Sequence, residues 1–220
     1  MNATPPDSAP SAPAVLPDPA LNRNDFRTIV ELVDPGVRVL DLGCGDGTLL
    51  KLLQKHKGAL GYGVEHDPNR IMDCIEKGLS VFQGNLDEGL RDFEDQSFDY
   101  VILNLTLPEV HKPDFVLNEM LRVGKKAVVC FPNFAQWHIR LRLLFLGRMP
   151  VDPIIPHQWF DTPNIHHLTV CDFEEFCGRR NLVIHRRGFF RTLAGGRVQE
   201  SMLFPNWSAS FALYVLGHNA

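Results

Sequence analysis

A chain of 220 residues that is 45% hydrophobic is long enough to bury one core and too short for two comfortable domains. Its 22 Lys and Arg against 26 Asp and Glu give a formal net charge of -4, so no broad positive field exists to hold a nucleic-acid backbone, and nucleic acid is not expected as a partner. The five cysteines (Cys44, Cys74, Cys130, Cys171 and Cys177) form no CxxC pair, which fits a reducing, cytoplasmic setting, and with no run near about 18 apolar residues and no basic-then-apolar start, neither a membrane span nor secretion is expected.

Residues 1–20 are mostly Pro, Ala, Ser and Asp with almost nothing to bury, so they are expected to be a disordered tail preceding one domain over 21–220. Residues 23–33 carry Phe26, Ile29, Val30 and Val33 at helical spacing, and Asp34-Pro35-Gly36 stops that helix. Four apolar runs follow at 38–42, 60–65, 99–103 and 126–131, with helical stretches between them and a shorter strand at 80–83. Apolar strands alternating with helices imply a parallel sheet covered on both faces, a three-layer doubly wound α/β fold. Past Pro132 the pattern changes. Residues 137–146 read as a basic, apolar helix, 149–163 are rich in Pro and aromatics, and strand-like runs near 182–190 and 207–216 end the chain.

The strand at 38–42 runs into Asp41-Leu42-Gly43-Cys44-Gly45-Asp46-Gly47, and a helix begins at Thr48. Glycines at 43, 45 and 47 let a ligand lie against the backbone where strand turns to helix. The spacing is GxGxG, whereas the dinucleotide fingerprint GxGxxG would want glycine at Thr48. Asp41 and Asp46 would repel a polyphosphate and no Lys or Arg lies nearby, so a cationic sulfonium suits the turn better. Glu65 closes the second strand, where a carboxylate accepts ribose hydroxyls. A tight strand-helix connection with no ligand uses the same glycines. The acid on the following strand favours a cofactor.

The segments VLDLGCGDGTLL, GVEHDPN, GNLDEGL and FDYVILNLTLPEV resemble the class I S-adenosylmethionine-dependent methyltransferases. The resemblance implies a Rossmann-like seven-stranded sheet with an antiparallel last strand. It places Asp41, Gly43, Cys44, Gly45 and Gly47 around the amino-acid end of S-adenosylmethionine or S-adenosylhomocysteine. Glu65, with His66 beside it, would hold the ribose, Asn85 and the Leu86 backbone would read adenine, and Asn104 would face the methyl-transfer position. FPNFAQWHIRLRLLFLGRMP and PHQWFDTPNIHHLTVCDFEEFC, together with NDFRTIVELVDPGVRVLDLGCGDG, resemble the MetW family. That implies a role in methionine synthesis beside a homoserine O-acyltransferase of the MetX type. Asn104-Leu105 and Pro108 depart from the family's more usual Ser-Gln and Gln.

Catalytic groups are harder to read. The Asn/Asp-Pro-Pro-Tyr/Phe motif that grips planar amines is absent, since the equivalent residues are Asn104-Leu105-Thr106-Leu107. His111, His157, His166 and His167 fall in loops on the ligand side of the sheet. Among them His111, two residues after Glu109, is the best acid-base candidate. Adjacent His166 and His167 point different ways, so no metal site is expected. Cys44 has no activating base nearby and reads as a small turn residue, and Cys130 reads as core. Residues 137–160 hold too many apolar positions for a solvated helix, even with Arg140 and Arg142. Either they cover the chain's own pocket as a lid or they form the interface for the acyltransferase; two arginines are few for a membrane-surface helix. Two functions follow: an S-adenosylmethionine-binding partner of the acyltransferase, or an independent small-molecule methyltransferase using Asn104, Glu109 or His111.

Overall fold

The computed structural model describes residues 23–151, 155–193, 198–201 and 203–217. The expected tail lies outside them. In chain order the regular elements are α1 (Asn24–Leu32), β1 (Arg38–Leu42), α2 (Thr48–Lys57), β2 (Leu60–Glu65), α3 (Pro68–Glu76), β3 (Ser80–Gln83), β4 (Phe98–Asn104), α4 (Pro113–Val123), β5 (Gly124–Pro132), α5 (Trp137–Leu146), α6 (Val170–Arg179), β6 (Val183–Thr192), β7 (Val198–Glu200), α7 (Pro205–Ser208) and β8 (Phe211–Gly217). Short 3-10 turns at Leu86–Glu88 and Leu107–Glu109 follow β3 and β4.

The strands form one sheet in the order β3-β2-β1-β4-β5-β8-β6-β7. β1 to β5 are parallel, and β8 runs antiparallel to both β5 and β6. The apolar runs are continuous because both faces are covered. On one face α1 and α2 pack Ile29, Val30, Leu49 and Leu53 onto Val39, Ile102, Val128 and Val215. On the other, α4 and α6 pack Leu117, Met120 and Phe173 onto Leu40, Val101, Val129 and Tyr214. The order reverses between β1 and β4, which opens a crevice at their carboxyl ends.

Two details correct the sequence reading. The described strands number eight rather than seven, because polar, three-residue β7 pairs with the end of β6; so short a run carries no periodicity. The run at 207–216 begins as helix rather than strand. Phe204 takes a left-handed conformation (φ 50°) and Pro205 opens α7, so β8 starts only at Phe211.

Buried Asn133 ties the carboxyl end of β5 to its surroundings. Its Oδ1 accepts from the N–H groups of Ala135 and Val170, and its Nδ2 donates to the carbonyls of Asn206 and Ala209. From this anchor α5 projects outward. Of its residues only Ile139 is buried, and everything from 141 to 149 is exposed. The end of this helix does not lie over the domain as a lid, since Leu144, Phe145 and Leu146 face away from it. Among the described residues no helix is long and apolar enough to cross a membrane.

Candidate functional site

The crevice is an open cleft of about 810 Å3. Its lining includes Asp41, Gly43, Cys44 and Gly45 at the end of β1, Glu65 and His66 at the end of β2, Asn85 and Leu86 after β3, and Asn104, Glu109 and His111 at and beyond the end of β4. The motif residues thus converge, Gly47 excepted.

The three turn glycines have left-handed φ of 68°, 58° and 73°, which L side chains resist. They differ in what they face. A Cβ on Gly43 would lie 2.8 Å from Thr106 Cγ2, and one on Gly47 would lie 2.4 Å from Leu79 Cδ1, whereas one on Gly45 would meet nothing closer than Arg70 at 3.9 Å. Gly47 is therefore required by the packing of α3 against the turn, and Gly45 is the glycine open to a ligand. Gly47→Ala should destabilise the chain by about 2–4 kcal/mol, combining left-handed strain with overpacking, while Gly45→Ala should incur only the strain, about 1–2 kcal/mol. Urea unfolding of the two variants compares them directly, and equal losses would refute the packing account of Gly47.

Cys44 sits in the turn with its Sγ 4.0 Å from that of Cys74, which in turn donates to the Gly45 carbonyl at 3.2 Å. Burial, with Asp41 nearby, pushes the Cys44 thiol far up, the opposite of a nucleophile. Asp46 also lines the cleft, but its carboxylate is already engaged. Burial alone would raise its pKa, but Lys77 Nζ at 2.7 Å and hydrogen bonds from Thr48 hold it below the usual value while it starts α2. Of the two turn acids only Asp41 remains uncommitted.

Asp41 is 2% exposed, and among the described residues no donor reaches its carboxylate. Burial first, then the Glu65 carboxylate, push its pKa up to about 8, with Arg23 pulling the other way. Equally buried Glu65 is fully engaged: its Oε2 accepts from the Gly45 N–H at 2.8 Å, and its Oε1 from the N–H groups of His66 (2.8 Å) and Asp67 (3.0 Å). Those bonds fix the rotamer and leave Oε2 a spare lone pair for a hydroxyl. Asn85 caps the turn at Leu86–Glu88 by accepting from Asp87 N–H, and among the described residues nothing accepts from the Leu86 N–H.

At the end of β4, Asn104 Nδ2 donates to Asp25 Oδ2 at 2.7 Å, and among the described residues its buried Oδ1 has no partner. Glu109 lines the cleft with its pKa raised by burial, an effect that Arg70 and His157 oppose. His111 is exposed and its Nδ1 lies 3.1 Å from Asp87 Oδ2, which also accepts from the His111 backbone N–H. His166 and His167 do not join them: the N–H of His166 donates to the Pro108 carbonyl, and the His167 ring stacks edge-on against Phe134. Among the described residues no three His, Cys, Asp or Glu side chains converge to hold a metal ion.

Sequence reasoning missed Arg23 and Phe26, which reach the cleft from α1. Arg23 stands before the first apolar position of a helix that reads as a cover for the sheet, and no motif marks it.

With this geometry in view, comparisons with known proteins are informative. A bifunctional methionine biosynthesis protein MetXA/MetW from Rhodopirellula baltica is 37% identical over 91% of this chain, which spans 33% of that protein's length. A phosphatidylethanolamine N-methyltransferase from Cereibacter sphaeroides is 31% identical over 50% of the chain and 57% of its own length. Among solved structures, a SAM-dependent methyltransferase from Archaeoglobus fulgidus superposes with TM-score 0.67 at 14% identity, covering 90% of this chain and 93% of that one. Another from Thermotoga maritima, described as a possible histamine N-methyltransferase, gives 0.65 at 16%, covering 90% and 89%. Such low identities establish the methyltransferase fold alone. The sequence profile of the methionine biosynthesis protein MetW matches residues 23–216, from the arginine at the cleft edge to the last buried strand, so the chain belongs to the MetW family.

Proposed function

We propose that this chain binds S-adenosylmethionine or S-adenosylhomocysteine in the cleft and serves methionine synthesis as a partner supporting a homoserine O-acyltransferase of the MetX type. The observation that carries the partnership is the relative whose name joins MetXA and MetW in one chain, together with a helix, α5, whose Leu144, Phe145 and Leu146 stand exposed. A surface of that kind marks a protein contact.

The cleft fits the cofactor. Asp41 is a buried carboxyl that lacks a donor among the described residues, which a cationic group stabilises, and Gly45 offers bare backbone beside it. Glu65 would hold the ribose, and the Leu86 N–H with Asn85 would read adenine. When bound, S-adenosylmethionine supplies an electrophilic methyl group. The chain's own residues orient it; Glu109 and His111, the latter with its Nδ1 3.1 Å from Asp87, are the cleft-lining groups that could hold a proton there.

Isothermal titration of both ligands, with and without the acyltransferase, tests the reading. The expected result is that each ligand shifts the affinity for the partner by the same factor by which the partner shifts the affinity for the ligand, as linkage requires. Absence of ligand binding, or of any association between the proteins, refutes it. The second reading, an independent methyltransferase, is favoured by Glu109, whose raised pKa at the cleft suits a base. Labelled methyl transfer into small metabolites, lost in Glu109→Gln, would establish that alternative.

A further inference from the structure

We infer that the first turn of α1 is a carboxylate-reading arm of the cleft. Arg23, pinned by Asp25 and through it by Asn104, takes the α-carboxylate of an amino-acid-bearing ligand whose ammonium group meets Asp41. The inference rests on the cofactor reading above and adds to it residues that lie outside the glycine motif.

The geometry is a chain of three side chains from two elements. Arg23 donates through Nη2 to Asp25 Oδ2 at 2.7 Å and through Nε to Asp25 Oδ1 at 3.3 Å, and its guanidinium carbon lies 3.8 Å over the Phe26 ring. These contacts hold the planar group and leave Nη1 with no partner among the described residues. Asp25 is itself buried and receives Asn104 Nδ2 at 2.7 Å from β4, across 79 positions of sequence.

Two groups at this end of the cleft are unmatched. Among the described residues, Asp41, 2% exposed, has no donor, and the buried Asn104 Oδ1 has no partner. Arg23 is close enough to Asp41 to act on its charge. One wall therefore presents an open guanidinium N–H edge and an uncompensated carboxyl, the complement of a zwitterion. A guanidinium already held by a carboxylate and a ring loses little freedom on meeting a second carboxylate, and its fork matches one in shape. A half-exposed ion pair at a helix start contributes little to stability, so stability alone does not account for Asn104 being drawn to Asp25 with its own oxygen left bare.

The test is calorimetric titration of the full chain with S-adenosylhomocysteine and with 5′-methylthioadenosine, which keeps adenine, ribose and sulfur but lacks the amino-acid group. Arg23→Gln should weaken S-adenosylhomocysteine about 10- to 100-fold and leave 5′-methylthioadenosine unchanged. Arg23→Lys should recover part of the loss, because a point charge attracts without the fork. Asp25→Asn, which unpins the guanidinium, should fall between wild type and Arg23→Gln. Equal weakening of both ligands, or an indifferent Arg23, overturns the inference and leaves the cofactor reading standing. If neither ligand binds the wild-type chain, both fall together.

Discussion

Asp41→Asn should make the chain more stable at neutral pH and, at the same time, strip it of affinity for a cationic ligand. In the folded chain the pKa of Asp41 is pushed up from 3.8 to about 8, by burial first and by Glu65 second. Between those values the folded state holds a proton that the unfolded state has released. Stability therefore falls as pH rises through that window, and the loss is complete only above pH 8. The isosteric amide has no proton to lose. Its advantage should be near zero at pH 4, reach up to about 4 kcal/mol at pH 7 and level off at up to about 6 kcal/mol above pH 8. Urea unfolding of both chains across pH 4–9 reads the difference, which cancels groups common to both. A stability difference that stays flat with pH would mean that Asp41 is not the buried acid described.

The same shift governs binding. A positive group set against Asp41 favours its ionised form, so at pH 7 the proposed ligand must displace a proton. Affinity should climb by as much as about tenfold per pH unit toward pH 8 and level off beyond it. Calorimetry in two buffers of different ionisation enthalpy counts the released proton directly. Asp41→Asn should release none and bind far more weakly. An acid that destabilises its own fold at working pH is the signature of a site built for a partner charge rather than for the core.

How much of this was legible beforehand follows the range of the interactions. β1, β4, the second half of β2 and β5 from Ala127 onward are buried almost throughout, so their apolar runs identify them wherever they pair. The glycine turn is equally local: Gly43, Gly45 and Gly47 are needed for their own backbone conformation, and Glu65 reaches the turn because parallel register sets Leu42 beside Val64. The α1 arm is different. Asp25 meets Asn104 only because α1 lies across the sheet, and no spacing encodes a contact between a helix start and the end of β4. Asp46 misled for the same reason. Beside Asp41 it reads as a second ligand-facing acid, and only the folded position of Lys77 at the end of α3 commits it elsewhere. The helix α5 was legible as basic and apolar, but whether its apolar residues covered its own domain or another's depended on its direction of projection from Asn133.

That projection leads to the other large effect. Leu144→Glu combined with Phe145→Glu should reduce affinity for the acyltransferase at least about 100-fold while leaving the unfolding temperature of the isolated chain unchanged. Both side chains are 74% exposed, so their replacement removes almost no packing within the domain, whereas Ile139→Ala on the same helix empties a buried position and should destabilise it. The surface extends beyond α5. Arg140 stands 5.2 Å over the Trp207 ring and so joins the helix to α7, just before which Leu203 and Phe204 are 77% and 80% exposed. Aromatic and aliphatic anchors with an arginine among them are the composition of an interface centre, and charged groups placed there must be desolvated without a partner. Pull-down and calorimetry against the acyltransferase measure the loss. Should the double variant bind the acyltransferase as well as wild type does, the partner sits elsewhere; if it instead converts a self-associated chain to monomer, α5 is where copies of this chain meet. Should binding disappear while ligand affinity in the isolated chain stays intact, the cleft and α5 are separate sites, and any effect of one on the other must pass through the elements that join them, β5 and Asn133.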